Sequence, residues 1–279
     1  MRVRIVTDST CDLPGDIVQD LGITVVPLLV HIGEETYEDG VTIDLDDFYG
    51  QLSRGDCFPK TSAPSSGMFT DAYERLAQET DEIISIHICA KLSATHAAAL
   101  VARDGVDVPR RIEIVDSRSA SLGLGLLVVH AATMARQGAT VDEILRATAH
   151  AIPNTQFFGM LDTLEYLHRG GRIGKAATFL GSMLNIKPIL CLSDGIAYPL
   201  ERVRGREHAL ERICEMVSEQ HSICGLAVGH TTTSHEMEQL AFRLSQFFPA
   251  SEMVHCRCGA TIGTYFGPGA LGVALIHTT

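Results

Sequence analysis

The chain has 279 residues, 46% of them hydrophobic, and a formal net charge of −12. That length supplies core material for one large domain or two medium ones. The 22 Lys and Arg are scattered among 34 Asp and Glu, which excludes a general nucleic-acid-binding surface, because neutralising phosphates needs clustered cations.

Residues 3–7 form a short apolar run with no signal-peptide core before it, and no apolar stretch reaches transmembrane length. A cytoplasmic location without stable membrane insertion is expected. The eight Cys are dispersed, and Cys89, Cys191, Cys214 and Cys224 sit in apolar segments, as buried free thiols do in a reducing compartment. In His255-Cys256-Arg257-Cys258 no second cluster is present to complete a zinc site. Strand alternation puts Cys256 and Cys258 on one face, a structural role.

In chain order, residues 3–7 read as a buried strand and 14–21 as a helix stopped by Gly22. Residues 23–30 are a second apolar run, and Gly33 marks a turn in a polar excursion. Asp44 is a candidate cap for a helix through Leu52, and 66–78 look helical. Residues 83–88 and 112–115 are β-rich and flank a helical 95–103; a long helical segment, 122–136, ends at Gly138. This alternation predicts an N-terminal α/β/α layer with a mostly parallel sheet.

The pattern changes near Ile152-Pro153-Asn154. Residues 189–192 and 196–200 are joined by Ser193-Asp194-Gly195, a hairpin signal. Ala209, Ile213, Met216 and Val217 form one helical stripe; Met237, Leu240, Ala241, Leu244, Phe247 and Phe248 form another. Residues 223–228, 253–255 and 271–276 supply further strands. A C-terminal α/β layer with a mixed or antiparallel sheet is expected, dividing the chain into domains 1–153 and 154–279, with a ligand cleft or tunnel between or within them.

Two hydroxyl-rich loops, Thr61-Ser62-Ala63-Pro64-Ser65 and Leu92-Ser93-Ala94-Thr95-His96, each precede a helix-like stretch. Helix N-termini offer free N–H groups and partial positive charge, so two such loops can converge on one carboxylate or phosphate. Taken singly, Thr61, Ser65 and Ser93 read as ordinary N-caps. Asp8, Ser9 and Asp12 follow the first strand and Asp116 a later one, the place where open parallel sheets put ligand-binding residues. With Pro14 near the helix start, Asp12 reads first as a cap. There is no P-loop, no glycine-rich dinucleotide fingerprint after the first strand and no Gly-x-Ser-x-Gly elbow. No His stands at metalloprotease spacing, and His168 and His230 read equally well as surface polar residues. Arg169 and Arg172 flank the double glycine Gly170-Gly171, where a helix end needs positive φ. Residues 261–272 read as a glycine-rich connection that lets backbone approach a ligand or a neighbouring loop.

Several motifs occur in order: Thr7-Asp8-Ser9-x-x-Asp12-Leu13, Thr61-Ser62-x-Pro64-Ser65, Leu92-Ser93-x-Thr95, Tyr166-Leu167-x-x-Gly170-Gly171-Arg172-Ile173, Ile186-Lys187-Pro188-Ile189-Leu190 and Gly267-Pro268-Gly269. Together they resemble the DegV family, whose fatty-acid-binding members deliver acyl chains to a fatty acid kinase. The resemblance covers essentially the whole chain. It implies a non-catalytic acyl carrier with no cofactor, holding a long-chain fatty acid such as palmitate in a buried tunnel for a kinase of the dihydroxyacetone-kinase-like type. By position, Thr61 and Ser93 bind the carboxylate, with Ser62 and the backbone N–H of Ala94 beside them. Arg172 and Arg204 match basic positions associated with the kinase-docking surface. Two positions depart from the family: Ala94 replaces a frequent Gly, and Tyr265 replaces a usual His, leaving a hydrogen-bond donor without positive charge near neutral pH. The alternative is an enzyme for phosphotransfer or hydrolysis of a small polar substrate, using the strand-end Asp8, Ser9, Asp12 and Asp116.

Overall fold

The structure, a computed structural model, describes residues 2–56, 58–106, 111–181 and 185–277. Its first half contains β1 (Val3–Asp8), α1 (Gly15–Leu21), β2 (Thr24–Val26), β3 (Leu29–Ile32), β4 (Glu35–Glu38), α2 (Leu45–Arg54), β5 (Lys60–Ser62), α3 (Ser66–Leu76), β6 (Glu82–His87), α4 (Thr95–Gly105), β7 (Arg111–Asp116), α5 (Leu122–Arg136) and α6 (Val141–Ala151). Strands β1, β2, β6 and β7 form an all-parallel sheet in the order β2-β1-β6-β7. The small antiparallel sheet β4-β3-β5 sits beside it.

The second half adds β8 (Thr155–Met160), α7 (Glu165–Arg169), β9 (Ile186–Ser193), β10 (Ile196–Arg204), α8 (Arg206–Ser218), β11 (Ile223–His230), α9 (Ser234–Leu244), β12 (Val254–Arg257), α10 (Ala260–Phe266) and β13 (Leu271–His277). Its six-stranded sheet runs β10-β9-β8-β13-β11-β12, antiparallel throughout except for the parallel β11–β12 pair. The α/β class, the parallel first sheet and the mixed second one agree with the sequence reading.

Helix α5 joins the two layers. Every residue from 122 to 128 is buried, as expected of a helix that is apolar all round. Leu124, Val128, Ala131 and Ala132 pack with Ile5, Ile84 and Ile86 of the parallel sheet. Leu122, Leu126 and Leu127 pack with Phe157, Ala227 and Ala274 of the six-stranded sheet. A Cβ on Gly125 would lie 2.6 Å from the Cys11 carbonyl oxygen, so this face of α5 approaches the chain after β1 closely.

Some local expectations hold at their caps. Asp44 accepts from the N–H groups of Asp46 and Asp47, Ser65 from that of Met68, and Gly22 stops α1 with φ +60. Others are corrected. The apolar run 23–30 splits into β2 and β3 of different sheets. Residues 261–272, read as a connection, contain most of α10. Asp12 does not cap α1: it has φ +52, and its carboxylate turns inward to accept from the Gly259 N–H at 2.8 Å and the Ser121 hydroxyl at 2.5 Å. Thr61 is no cap either, since it lies within β5. His230 is buried and Cys224 exposed; the seven described cysteines are all free.

Candidate functional site

The site begins with side-chain size on the face of the six-stranded sheet turned toward α5. Period-two alternation sends Phe158 and Met160 of β8 to one face and Phe157 and Gly159 to the other. On that second face Gly159 pairs with Gly272 of β13, and Gly272 with Gly229 of β11. Ala227 and Ala274 share it. Leu122 of α5 packs onto this row, within 2.7 Å of where a Cβ on Gly229 would lie, and beside it a cavity of about 200 Å³ remains between the layers, bordered on the sheet by Phe157, Gly159 and Leu190. Its inner wall is apolar: Leu161, Leu167, Leu190, Ala197 and Ile262 are all buried and all face it. Phe157 and Phe266 close it, their ring centroids 6.0 Å apart.

The other end is polar and open to solvent, for Ala94 and Arg172 are exposed and Thr61, Ser62 and Ser93 half-buried. Strand β5 brings Thr61 and Ser62 to the rim, and the turn before α4 brings Ser93 and Ala94. The Ser93 hydroxyl accepts from the Thr95 N–H at 3.3 Å and lies 2.8 Å from the Thr95 hydroxyl. Ala94 itself supplies no side-chain cap and the first turn of α4 holds no acidic residue, so the partial positive charge of this N-terminus is offset only by the neutral Ser93 hydroxyl. The Thr61 and Tyr265 hydroxyls are 2.6 Å apart. Ser62 is held from behind by His31 Nε2 at 2.9 Å, and His31 Nδ1 lies 2.9 Å from the Thr36 hydroxyl.

The placement of Tyr265 depends on residues remote in sequence. Helix α10 is fixed at its start by two buried carboxylates: Asp12 accepts from Gly259 N–H, while Asp39 accepts from Ala260 N–H at 2.9 Å and Thr261 N–H at 3.3 Å. Burial pushes the Asp12 carboxyl up to about 8 and raises that of Asp39. At the far end of α10, the Tyr265 ring lies where a Cβ on Gly170 would come within 2.4 Å of it. Of the double glycine, only Gly171 has positive φ, +70; Gly170 gives the ring its room. The Arg172 guanidinium lies over the same ring, 5.2 Å from its centroid, and donates to the carbonyl oxygens of Leu92 and Gly170. One cation thus stands beside a rim of hydroxyls.

The structure therefore brings Thr61, Ser62, Ser93, Ala94, Tyr265 and Arg172 together around one cavity. Arg204 is exposed at the end of β10 and does not line it. Asp8, Ser9, Asp12 and Asp116 do not line it either. Asp8 is fully buried against His87 and the Thr10 hydroxyl; Ser9 donates to Asp39; Asp116 accepts from the N–H groups of Ala90 and Arg118. Among the described residues no group of three or more His, Cys, Asp or Glu is placed to hold a metal ion, and no helix is long and apolar enough to cross a membrane. Sequence reasoning missed His31, Asp39, Phe157, Phe266 and the glycine row. The row's signal is Gly159, Gly229 and Gly272, glycines inside three strands, where glycine marks a close approach.

Fold and site define a two-layer α/β protein with an apolar cavity rimmed by neutral hydroxyls. The chain belongs to the DegV family, whose family model, described as "Uncharacterised protein, DegV family", matches residues 2–278. It is 38% identical to a DegV domain-containing protein of Streptomyces coelicolor, over 98% of each chain. Among solved structures, the DegV family protein of Thermus thermophilus, described for its fatty acid binding, superposes with a TM-score of 0.91 at 32% identity over 100% of both chains. DegV of Bacillus subtilis, described as a fatty acid binding protein, superposes at 0.87 with 32% identity, also over 100% of both.

Proposed function

We propose that this protein is a non-catalytic carrier that holds one long-chain fatty acid in the cavity and presents its carboxylate to a partner fatty acid kinase of the dihydroxyacetone-kinase-like type. The observation that supports this best is the pairing of a buried apolar wall with a hydroxyl rim, in a chain that superposes on DegV proteins described as fatty acid binding. The acyl chain gains about 0.8 kcal/mol per buried methylene, so the head group needs orientation more than strength. Thr61 and Ser93 donate to the carboxylate, with Ser62, Ala94 N–H and Tyr265 beside them. Neutral donors leave a carboxylate oxygen free to attack a phosphoryl donor, whereas a bidentate ion pair would hold it more firmly.

Dividing the chain at about residue 153 into a head-group domain and a tail domain belongs to this reading, as does a docking role for the exposed Arg172 at the rim and Arg204 at the end of β10. The test is a titration of delipidated protein with palmitate, followed by ATP-dependent phosphorylation of the bound acid by such a kinase. Thr61→Ala combined with Ser93→Ala is expected to weaken binding, and Arg204→Glu to slow phosphorylation without loss of palmitate. Wild-type protein that takes up no fatty acid would refute the carrier reading.

A further inference from the structure

The cavity ends at the Phe157–Phe266 pair, but empty space does not. Behind the rings lies a second void of about 10 Å³, bordered by Leu122, Gly229 and Gly272 and sharing Phe157, Gly159, Leu161 and Phe266 with the main cavity. The two rings are tilted by 35° at a centroid distance of 6.0 Å, and both border both spaces. On the sheet side the Phe157 ring rests on backbone: Cβ atoms on Gly159 and Gly272 would lie 2.8 and 3.2 Å from it.

We propose that Phe157, backed by Phe266, is the length stop for the acyl chain, and that the void behind it is a reserve of tail space closed by the phenyl ring. The inference rests on the carrier reading and deepens it by naming the residue that sets ligand length. A terminal methyl group that meets the rings gains nothing from a further methylene, whereas each methylene that still finds apolar wall improves affinity about fourfold. Truncating Phe157 joins the two spaces and moves the affinity maximum to chains longer by about two to four carbons, the volume that the lost ring vacates in a close-packed interior.

The experiment measures dissociation constants for the saturated fatty acids from lauric to arachidic, by displacement of a fluorescent fatty acid from delipidated wild type, Phe157→Ala and Phe157→Leu, each checked by its thermal unfolding transition. The expected result is a maximum shifted to longer chains in Phe157→Ala and a smaller shift in the same direction in Phe157→Leu. If Phe157→Ala does not fold, the Phe157→Leu shift decides. A folded variant with the wild-type maximum, or with an equal loss at every length, overturns the length stop and leaves the carrier reading standing. Wild type that binds none of the series overturns both.

Discussion

The two faces of the six-stranded sheet come from the same strands and do opposite things. The outer face puts Phe158, Met160, Ile189, Leu226, Val228, Val273 and Leu275 against helices α8 and α9 as a filled core. The inner face alternates with it residue by residue and offers Gly159, Ala227, Gly229, Gly272 and Ala274 toward α5, with the cavity alongside. Large residues on the outer face fill a core; on the inner face the small residues let α5 pack closely, and Phe157, Gly159 and Leu190 border the cavity beside it. Stability and ligand capacity thus fall on alternate residues of β8, and substitutions separate them.

The largest effect belongs to the outer face. Leu226 is fully buried there, and Leu226→Ala is expected to lower unfolding free energy by about 2–5 kcal/mol in urea titration, while the folded fraction keeps its fatty acid affinity. On the inner face, a methyl group at Gly159 meets the Phe157 ring at 2.8 Å and pushes it toward the cavity. Gly159→Ala is expected to cost about 1–3 kcal/mol of ligand binding or packing, read as a weaker dissociation constant with a smaller loss of stability than Leu226→Ala.

The buried start of α10 adds a pH dependence that neither face has alone. Asp12 ionises near 3.8 when exposed but near 8 in its buried place, so between these values the folded chain keeps a proton that the unfolded chain has lost. Stability then falls as pH rises from about 4 to about 8, by at most about 1.4 kcal/mol per pH unit, and Asp39 acts in the same direction. Thermal unfolding across that range measures it, and Asp12→Asn flattens the profile. The smallest effect is at a single hydroxyl: Thr61→Ala removes one donor and the partner of Tyr265, about 0.5–1.5 kcal/mol of ligand affinity by calorimetry.

The outer face and the rim were more legible in sequence than the inner face. Thr61, Ser62 and Ser93 announced themselves as clustered hydroxyls, and the α8 and α9 stripes followed helical period, although Phe247 lies beyond α9 and is partly exposed. Strand β8 went unseen because its residues 157–160 are buried on both faces and so lack polar alternation. Glycine in β8, β11 and β13 reads locally as a break, and only pairing across strands shows the three in register. Helix α6 did carry a signal, the Thr140–Glu143 capping box. Asp12 read as a cap because nothing local reveals a partner at Gly259, 247 residues away.

The central claim, that the inner face makes room for a fatty acid, is tested most directly by native mass spectrometry of the protein purified from cells, followed by solvent extraction and identification of what is released. The expected result is a mass excess matching one long-chain fatty acid per chain, reduced or lost when Thr61→Ala and Ser93→Ala are combined. A protein that carries no such adduct, and gains none when incubated with palmitate, would contradict the account.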